Sequence, residues 1–450
     1  MVPQPHKITR KRIAIIGCGP SGMSMLITLV KAKQNGDQIP DIVCFEKQSI
    51  MGGQWVYEWQ TGVDEFGTPV YNCMYEALRL NNAKEAQEYQ DYTFDEHFKK
   101  PISSYPPRHL IHDYILGRAR KYDIKRFVKF STFVKQVVKN ENGVGFSITY
   151  EHLPTRTSSQ EYFDYVIVAS GLYTTAFFPA YPGIETFPGR VIHSKDFRRN
   201  EELIQVQKLL IVGTSFSAMD IAQFHQKLNS TAHTYLSYHK DAPSIVYPES
   251  PKVHNIPCLL KVSGKTCYFK DGNSFEFDMI IFATGYQINF PFLEPDLKLT
   301  AKKQSLIYND LYKGVFLQSE PDLLFIGILI PSFSFGLYDA QAWLIKEFLL
   351  GRFDIPNRAQ RQQEIDFLWD KYQTLAKVMK GDRRFAYVFL KFYYEELLKE
   401  TPGHPQFINE LMVDMQANNN ERRATNAITF REDQYVSTFT NTKAAFSTSG

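Results

Sequence analysis

The stretch Arg12-Ile-Ala-Ile-Ile-Gly-Cys-Gly-Pro-Ser-Gly22 decides the first part of the fold, because a β-branched run leads directly into a glycine-rich turn. Helical spacing follows from Met23 to Lys33, and Ile42 to Glu46 then has the composition of a second strand. In such a turn the three glycines permit a tight bend, a close backbone approach to a pyrophosphate, and close packing of helix on strand. The order strand, turn, helix, strand predicts a dinucleotide-binding unit.

A second unit of the same order follows later in the chain. Leu209–Val212 predicts a strand, Gly213-Thr214-Ser215-Phe216-Ser217-Ala218 a glycine-containing turn, Ala218–Leu228 a helix, and Thr234–Tyr238 another strand. Strands that end in small residues, Val166–Gly171 and Met279–Tyr286, bracket this unit. The sequence therefore predicts an α/β fold with two dinucleotide-binding (Rossmann-like) domains, the second inserted into a discontinuous first, and a helical C-terminal region.

The ends of the second strands indicate which nucleotides bind. Glu46 ends its strand where an acid accepts hydrogen bonds from ribose hydroxyls, and its charge repels a ribose phosphate, so the first unit is predicted to bind FAD. In the second unit His239 and Lys240 follow Tyr238, and Lys240 can pair with a 2′-phosphate, whereas Asp241 opposes one. NADPH is expected there, NADH is the alternative, and a solvated surface lysine is the alternative interpretation of Lys240.

These units predict the domain boundaries. Residues 1–172 and 286–414 would form the two parts of the FAD-binding domain, and residues 173–285 the NADP-binding domain. Beyond Asp414 the chain is rich in Asn, Thr and Ser, which predicts a polar C-terminal arm or a loose tail over residues 415–450.

The composition favours small-molecule partners. A net charge of +3 over 450 residues gives no basis for nucleic-acid binding. No apolar run reaches the roughly 20 residues of a membrane span, and no secretion signal precedes the first strand. The five cysteines include no Cys-x-x-Cys pair and no zinc spacing, and His97, His109 and His112 have no ligand partners at metal spacing. We expect a cytoplasmic protein without a metal or membrane association.

Two further motifs lie between and beside the turns. Gly52-Gly53-Gln54-Trp55 could let the chain fold over a flavin with Trp55 packed nearby, and a plain surface turn with a core tryptophan is the alternative. Phe187-x-Gly-x-x-x-His193-x-x-x-Phe197 places a histidine between aromatic positions. We favour a buried structural role for His193 over acid–base catalysis.

With these motifs the chain resembles the class B flavin-containing monooxygenases, in particular the bacterial group that includes trimethylamine monooxygenase. The likeness covers nearly the whole chain. It rests on both turns, the His193 motif, and Val43–Gln48, Gly52–Trp55, Met74-Tyr75, Tyr105–Arg108, Phe282–Tyr286, Asp339–Trp343 and Ile428–Arg431.

The resemblance implies an activity. NADPH would reduce FAD, reduced flavin would take up O2 to form a C4a-hydroperoxyflavin, and a soft nucleophile would be oxygenated, by N-oxidation of tertiary amines such as trimethylamine, S-oxidation of sulfides, or oxidation of indole. Asn81 matches the family asparagine between flavin and nicotinamide and is the predicted catalytic residue. A homodimer is expected. The cofactor-binding residues would be Gly17, Gly19, Ser21, Gly22, Glu46, Gln48, Gly53, Gln54, Trp55, Asn81, Val134, Gly213, Thr214, Ser215, Ser217, His239 and Lys240.

The chain also departs from that group. Phe216 stands where tyrosine is expected, Arg79 and Ser332 where tryptophans are expected, and Lys240-Asp241 where an Arg-Thr pair is expected. Alternative functions are a Baeyer–Villiger monooxygenase, an NAD(P)H oxidase and, last, a non-enzymatic redox-gated binding protein. Arg198 after Phe197 weakens the Baeyer–Villiger alternative, and a disulfide reductase would need a redox-active cysteine pair, which we do not find in the sequence.

Overall fold

The computed structural model of the protein describes residues 11–239, 251–301, 303, 305–329, 332–405 and 407–446. Its strands in chain order are β1 (Arg12–Ile16), β2 (Asp41–Phe45), β3 (Val128–Lys129), β4 (Thr132–Lys139), β5 (Phe146–His152), β6 (Thr157–Phe163), β7 (Tyr165–Val168), β8 (Thr175–Ala176), β9 (Arg190–His193), β10 (Lys208–Val212), β11 (His233–Ser237), β12 (Val253–Ile256), β13 (Leu259–Ser263), β14 (Thr266–Phe269), β15 (Ser274–Glu276), β16 (Met279–Phe282), β17 (Tyr286–Gln287), β18 (Leu311–Tyr312), β19 (Phe316–Leu317) and β20 (Leu323–Phe325). Its helices are α1 (Pro20–Gln34), α2 (Phe94–Phe98), α3 (Arg108–Lys121), α4 (Phe216–Leu228), α5 (Ser334–Leu349), α6 (Arg358–Val378), α7 (Phe385–Leu398) and α8 (Glu410–Thr425).

The larger sheet has the strand order β18-β19-β20-β7-β1-β2-β3. The pairs from β20 to β3 are parallel, whereas β18 and β19 add an antiparallel edge. β1 lies within this sheet, and Ile13, Ala14 and Ile15 are fully buried, as expected for a continuous apolar strand with both faces covered. Helix α1 packs against α5.

The second sheet is parallel throughout, with the order β12-β11-β10-β16-β9. All its strands lie between residues 190 and 282, and the larger sheet takes strands from before and after that stretch. This arrangement confirms the predicted fold class of two dinucleotide-binding units, one inserted into the other. The exact domain boundaries at residues 172, 285 and 414 stay a prediction.

The helices after both glycine turns begin earlier than the apolar spacing predicted. Helix α1 starts at Pro20 rather than Met23, because proline is favoured in the first helical turn after the N-cap Gly19. Helix α4 likewise starts at Phe216, with Ser215 as N-cap. The first backbone N–H groups of both helices therefore face the turn, where a phosphate can accept from them.

Residues 415–446 are packed against the rest of the protein. Helix α8 extends to Thr425, and Asn419 and Phe430 are fully buried. Tyr105 donates its hydroxyl to Asn419 Oδ1 at 2.7 Å, and Ser437 Oγ donates to Glu88 Oε2 at 2.6 Å. The expectation of a loose tail is therefore wrong for these residues. Composition shows that a segment is polar, but it does not show that the polar groups have buried partners.

None of the helices in the described ranges combines the length and the apolar character that crossing a bilayer requires.

Candidate functional site

One cavity of about 1370 Å³ runs between the two glycine turns. Gly22 does not line it, and Lys240 lies outside the described residues. The cavity wall includes the other residues predicted to bind cofactor: Gly17, Gly19, Ser21, Glu46, Gln48, Gly53, Gln54, Trp55, Asn81, Val134, Gly213, Thr214, Ser215, Ser217 and His239.

The first turn fits the pyrophosphate of a flavin dinucleotide. Gly17 has φ +102°, and a Cβ there would lie 2.7 Å from the carbonyl oxygen of Ala169. A Cβ on Gly22 would lie 2.0 Å from the Gly17 carbonyl oxygen, so this glycine serves helix packing rather than the cavity wall. A Cβ on Gly53 would lie 2.8 Å from the Cα of Gly19. Bare backbone on both sides thus forms a narrow cradle where a phosphate can approach the N–H groups.

Glu46 is held at the end of β2 by the turn itself. The N–H of Cys18 donates to its Oε2 at 2.7 Å and the N–H of Gln48 donates to its Oε1 at 2.8 Å. Burial raises the pKa of Glu46, and these two N–H groups oppose the rise. Both carboxylate oxygens keep a further lone pair, which a ribose hydroxyl can use.

The Gly52–Trp55 motif forms a short 3₁₀ helix over Gly53–Trp55 against the first turn. Gln48 Nε2 donates to the Gly53 carbonyl at 3.2 Å, and Asn72 Nδ2 donates to the Val56 carbonyl at 2.8 Å. Gln54 accepts from the N–H of Cys73 at 3.1 Å. The motif is therefore fixed in the cavity wall from two sides, and Trp55 packs against the core at that wall.

The second turn repeats the construction of the first. Gly213 has φ +122°, and a Cβ there would lie 2.3 Å from the Ala283 carbonyl oxygen. Ala283 follows β16 as Ala169 follows β7, so both strands that end in small residues leave room for a glycine turn. Ser215 occupies the position of Gly19, and His239 lies in the cavity wall after β11.

Asn81 lies in the cavity wall on a segment fixed from the C-terminal part of the chain. Asn419 Nδ2 on α8 donates to the Asn81 carbonyl oxygen at 3.0 Å. Tyr105 holds Asn419 in turn through the 2.7 Å hydrogen bond to its Oδ1. The backbone of Asn81 is thus positioned by two buried side chains, one of them more than 300 residues away in the sequence.

A buried ion pair contacts the same segment, which carries Leu80 and Asn81. Arg431 Nη1 donates to Asp220 Oδ1 at 2.7 Å, and the Tyr75 hydroxyl donates to Asp220 Oδ2. Arg431 Nε donates to the carbonyl of Leu80, the residue before Asn81, at 2.9 Å. Burial lowers the pKa of Arg431, but Asp220 outweighs this effect, so the pKa is raised and the guanidinium stays charged.

His193 is fully buried between aromatic rings. The ring centroids of Phe178 and Tyr286 lie 5.3 Å and 5.4 Å from the imidazole, and Nδ1 accepts from the N–H of Lys195 at 3.0 Å. Burial lowers the pKa of His193 to about 4, so the ring is neutral at physiological pH. This environment fits the structural role rather than acid–base catalysis.

The structure also brings into the wall residues that the sequence interpretation did not select. These are Asp220 and Arg423, and the cavity wall also includes Arg79, Phe216 and Ser332, which the sequence analysis had already named as departures from the related group. The polar composition around Arg423 suggested only an arm, so no local signal could have identified it. Ser-Ala-Met-Asp220 follows the second turn at helical spacing, which was the available signal for Asp220.

Among the described residues no group of three or more His, Cys, Asp or Glu side chains could hold a metal ion. All five cysteines are free, and of these Cys73 and Cys258 line the cavity.

Comparisons with known proteins agree with this geometry. The family model described as flavin-binding monooxygenase-like matches residues 10–246 and 245–419. A trimethylamine monooxygenase from Methylocella silvestris is 40% identical over 96% of this chain and 94% of its own length, and one from Roseovarius sp. strain 217 is 39% identical over 97% and 95%. The crystal structure of Tmm from Pelagibacter sp. strain HTCC7211 superposes with a TM-score of 0.89 at 34% identity, covering 97% of this chain and 96% of that one.

Proposed function

The chain belongs to the flavin-binding monooxygenase-like family, and from this premise we propose that it transfers one oxygen atom of O2 to the nitrogen or sulfur of a small amine or sulfide. It is a flavin-dependent monooxygenase with FAD and NADPH as cofactors. The amine or sulfide, the use of O2 by this chain and the residue roles given below belong to the proposal. Trimethylamine is the substrate named for the relatives and is the first candidate.

The continuity of the cavity carries this proposal. Both glycine turns, which flank the parallel strands of two separate sheets, open into the same space of about 1370 Å³. A flavin dinucleotide on the first turn and a nicotinamide dinucleotide on the second would therefore share one chamber, which hydride transfer between them requires. Asn81 lies in the wall of that chamber.

The residues of the chain then have separate tasks. Gly19 and Gly53 would admit the flavin pyrophosphate, Glu46 would accept from its ribose, and the N-terminus of α4 at Ser215 would receive the second pyrophosphate. Bound FAD supplies the two-electron chemistry that activates O2. The Asn81 amide would donate to oxygen near the reacting centre, since Asn81 lies in the cavity wall.

The direct test is NADPH oxidation by the flavin-loaded enzyme with a panel of amines, sulfides and indole. O2 uptake, oxygenated product and hydrogen peroxide are measured together. We expect one class of soft nucleophile to raise the rate and to give product in proportion to the NADPH consumed. Oxidation of NADPH that yields only peroxide with every compound would instead indicate an NAD(P)H oxidase.

We also propose a cytoplasmic homodimer. Free cysteines throughout fit a reducing compartment, and dimerisation follows from the family resemblance. Sedimentation equilibrium of the holoenzyme measures the mass against the 52.1 kDa of one chain.

A further inference from the structure

Asn81 lies in a bend of the chain, where neither a helix nor a sheet sets the direction of its backbone. Two soft dihedral angles connect the peptide plane before its Cα to the peptide plane after it. If both planes are held in place, both angles are fixed, and the direction in which the side chain leaves the backbone is fixed with them. The contacts of these two planes therefore decide where the Asn81 amide can lie.

Each of the two peptide planes is held through its carbonyl oxygen by one buried side chain. Arg431 Nε donates to the Leu80 carbonyl at 2.9 Å, which holds the plane before the Asn81 Cα. Asn419 Nδ2 donates to the Asn81 carbonyl at 3.0 Å, which holds the plane after it. The N–H of Leu80 also donates to the Pro106 carbonyl at 3.1 Å. The segment is thus bound from two sides, and Asn419 supplies the contact that sets the second plane.

The amide group of Asn419 is suited to this task. A backbone carbonyl can only accept, so the amide nitrogen has to face Asn81, and the amide oxygen then accepts from the Tyr105 hydroxyl at 2.7 Å. The same nitrogen lies 3.3 Å from Asn82 Oδ1, so its second N–H also has an acceptor. Asn419 is fully buried and is not part of the cavity wall. It therefore does not touch a ligand in the cavity and acts through the residues that it holds.

Resting on the proposed function, in which the Asn81 amide donates to oxygen at the reacting centre, we propose that Asn419 is a positioning residue for the oxygenation step. It orients the Asn81 amide by fixing the peptide plane between Asn81 and Asn82. Without this contact the plane can rotate and the amide loses its direction, although both glycine turns are unchanged. Flavin reduction by NADPH and oxygenation of the substrate should therefore depend on Asn419 to different extents.

A purely structural role for Asn419 is the alternative. Loss of a buried, hydrogen-bonded amide would then lower the stability of the fold, and every step would slow in proportion to the loss of folded enzyme. A positioning role changes instead what the reduced enzyme does with O2. In the coupled reaction one oxygen atom enters the substrate and the other leaves as water, with two electrons from NADPH and two from the substrate. In the uncoupled reaction the two electrons of NADPH reduce O2 to hydrogen peroxide.

The test measures oxygenated product, hydrogen peroxide and NADPH consumed by flavin-loaded Asn419→Leu. The substrate is trimethylamine, or the member of the amine and sulfide panel that the wild type oxygenates fastest. Leucine keeps a branched side chain of similar size but cannot donate. We expect product per NADPH to fall about 10-fold, less than the about 10²-fold for a missing donor, because the Asn81 amide remains but is misdirected. The rate of flavin reduction, measured by anaerobic stopped flow, should stay close to that of the wild type.

A double variant shows whether Asn419 acts through Asn81. If Asn419 only orients the Asn81 amide, Asn419→Leu changes nothing once that amide is gone. Asn81→Ala combined with Asn419→Leu should then give the same product per NADPH as Asn81→Ala alone. Losses that multiply in the double variant would mean that Asn419 acts by another route and would overturn the inference.

Two further variants separate positioning from stability. Val413→Ala removes buried apolar volume from α8 and should lower the free energy of urea unfolding without changing the product per NADPH. Tyr105→Phe removes only the hydroxyl that holds Asn419 and should lower the product per NADPH by less than Asn419→Leu does. If Asn419→Leu does not fold, Tyr105→Phe decides the inference, and full coupling in that variant would overturn it.

Full coupling in a folded Asn419→Leu enzyme, or a fall in flavin reduction as large as the fall in coupling, would overturn the inference and leave the monooxygenase function standing. A wild type that consumes NADPH and yields only peroxide with every amine and sulfide is a different result. It would refute the proposed function and, with it, the inference that rests on it.

Discussion

Arg431 and Asp220 form a two-pronged buried ion pair, with Nη1 2.7 Å from Oδ1 and Nη2 3.2 Å from Oδ2. The pair joins the segment after α8 to α4, the helix that follows the second glycine turn. Through its Nε, Arg431 also holds the Leu80 carbonyl. One side chain near the C-terminus therefore ties together the second nucleotide unit and the segment that carries Asn81.

Removal of this arginine should strongly destabilise the protein. Arg431→Ala leaves the buried Asp220 without its ion-pair partner, and breaking a buried pair on one side costs about 3–5 kcal/mol. Urea unfolding of the flavin-loaded protein measures the loss. Arg422→Ala removes a partly exposed pair with Asp433 in the same segment and should cost about 1 kcal/mol or less. Equal losses of unfolding free energy in the two variants would show that the Arg431–Asp220 pair stabilises the protein no more than the Arg422–Asp433 pair does.

Replacement of Asn81 should separate reduction from oxygenation. In Asn81→Ala the flavin should still be reduced by NADPH at nearly the wild-type rate, since neither glycine turn is altered. Oxygenated product should fall by about 10²-fold, with hydrogen peroxide in its place, because a preorganised donor is lost. Stopped-flow reduction and the ratio of product to NADPH give the two readings. Asn82→Ala, which changes the neighbouring cavity residue, should have a smaller effect, and unchanged coupling in Asn81→Ala would make its role structural.

Substitutions at equivalent positions of the two glycine turns should weaken the binding of different cofactors. Gly19 and Ser215 are the N-caps of α1 and α4, with φ −78° and −89°. Gly19→Val places a branched side chain between the turn and Gly53, whose Cα would lie 3.4 Å from the new Cβ, and should abolish flavin binding. Ser215→Val should keep the yellow colour but raise the KM for NADPH. The flavin absorbance per mole of protein measures FAD binding by Gly19→Val. A Gly19→Val protein fully loaded with flavin would refute the assignment of the first turn to FAD.

His193 should make stability depend on pH. Because burial lowers its folded-state pKa to about 4, the unfolded chain takes up a proton on His193 between pH 6.5 and 4 while the folded protein does not. Its contribution is complete above pH 6.5 and is lost as the pH falls, by about 3 kcal/mol at the lower limit. Urea unfolding over this range should show a weaker pH dependence for His193→Asn than for wild type. The exposed His109→Asn should leave the wild-type dependence unaltered.

The preference of the enzyme for NADPH over NADH should be modest. Lys240 attracts a 2′-phosphate as a point charge without the fork of arginine, and Asp241 repels it while accepting from a free hydroxyl. Both residues lie outside the described ranges, so this expectation rests on the sequence. We expect NADPH to be preferred, NADH to retain activity, and Asp241→Thr to widen the gap. KM values for both cofactors decide it, and an unchanged ratio in the variant would place the phosphate clamp elsewhere.

Local sequence determined the two nucleotide units. Gly17 and Gly213 adopt positive φ, and a Cβ on either would collide with the carbonyl of the residue that follows the neighbouring strand. This steric requirement acts between residues that are close in the chain or on adjacent strands. It restricts the position to glycine so strongly that the motif can be recognised from the sequence alone. The predicted first strand, Arg12–Ile16, matches β1 for the same reason, since a strand covered on both faces is continuously apolar.

Only the tertiary structure decided what surrounds Asn81. Asn419 and Arg431 hold its segment from more than 300 residues away, and Arg423 reaches the cavity from a helix that composition described merely as polar. An asparagine or arginine can be solvated or can be buried against a distant partner, and the sequence does not show which of the two applies. Buried polar pairs form only where the tertiary structure brings distant segments together, and it is the packing of the whole fold that places α8 against the cavity.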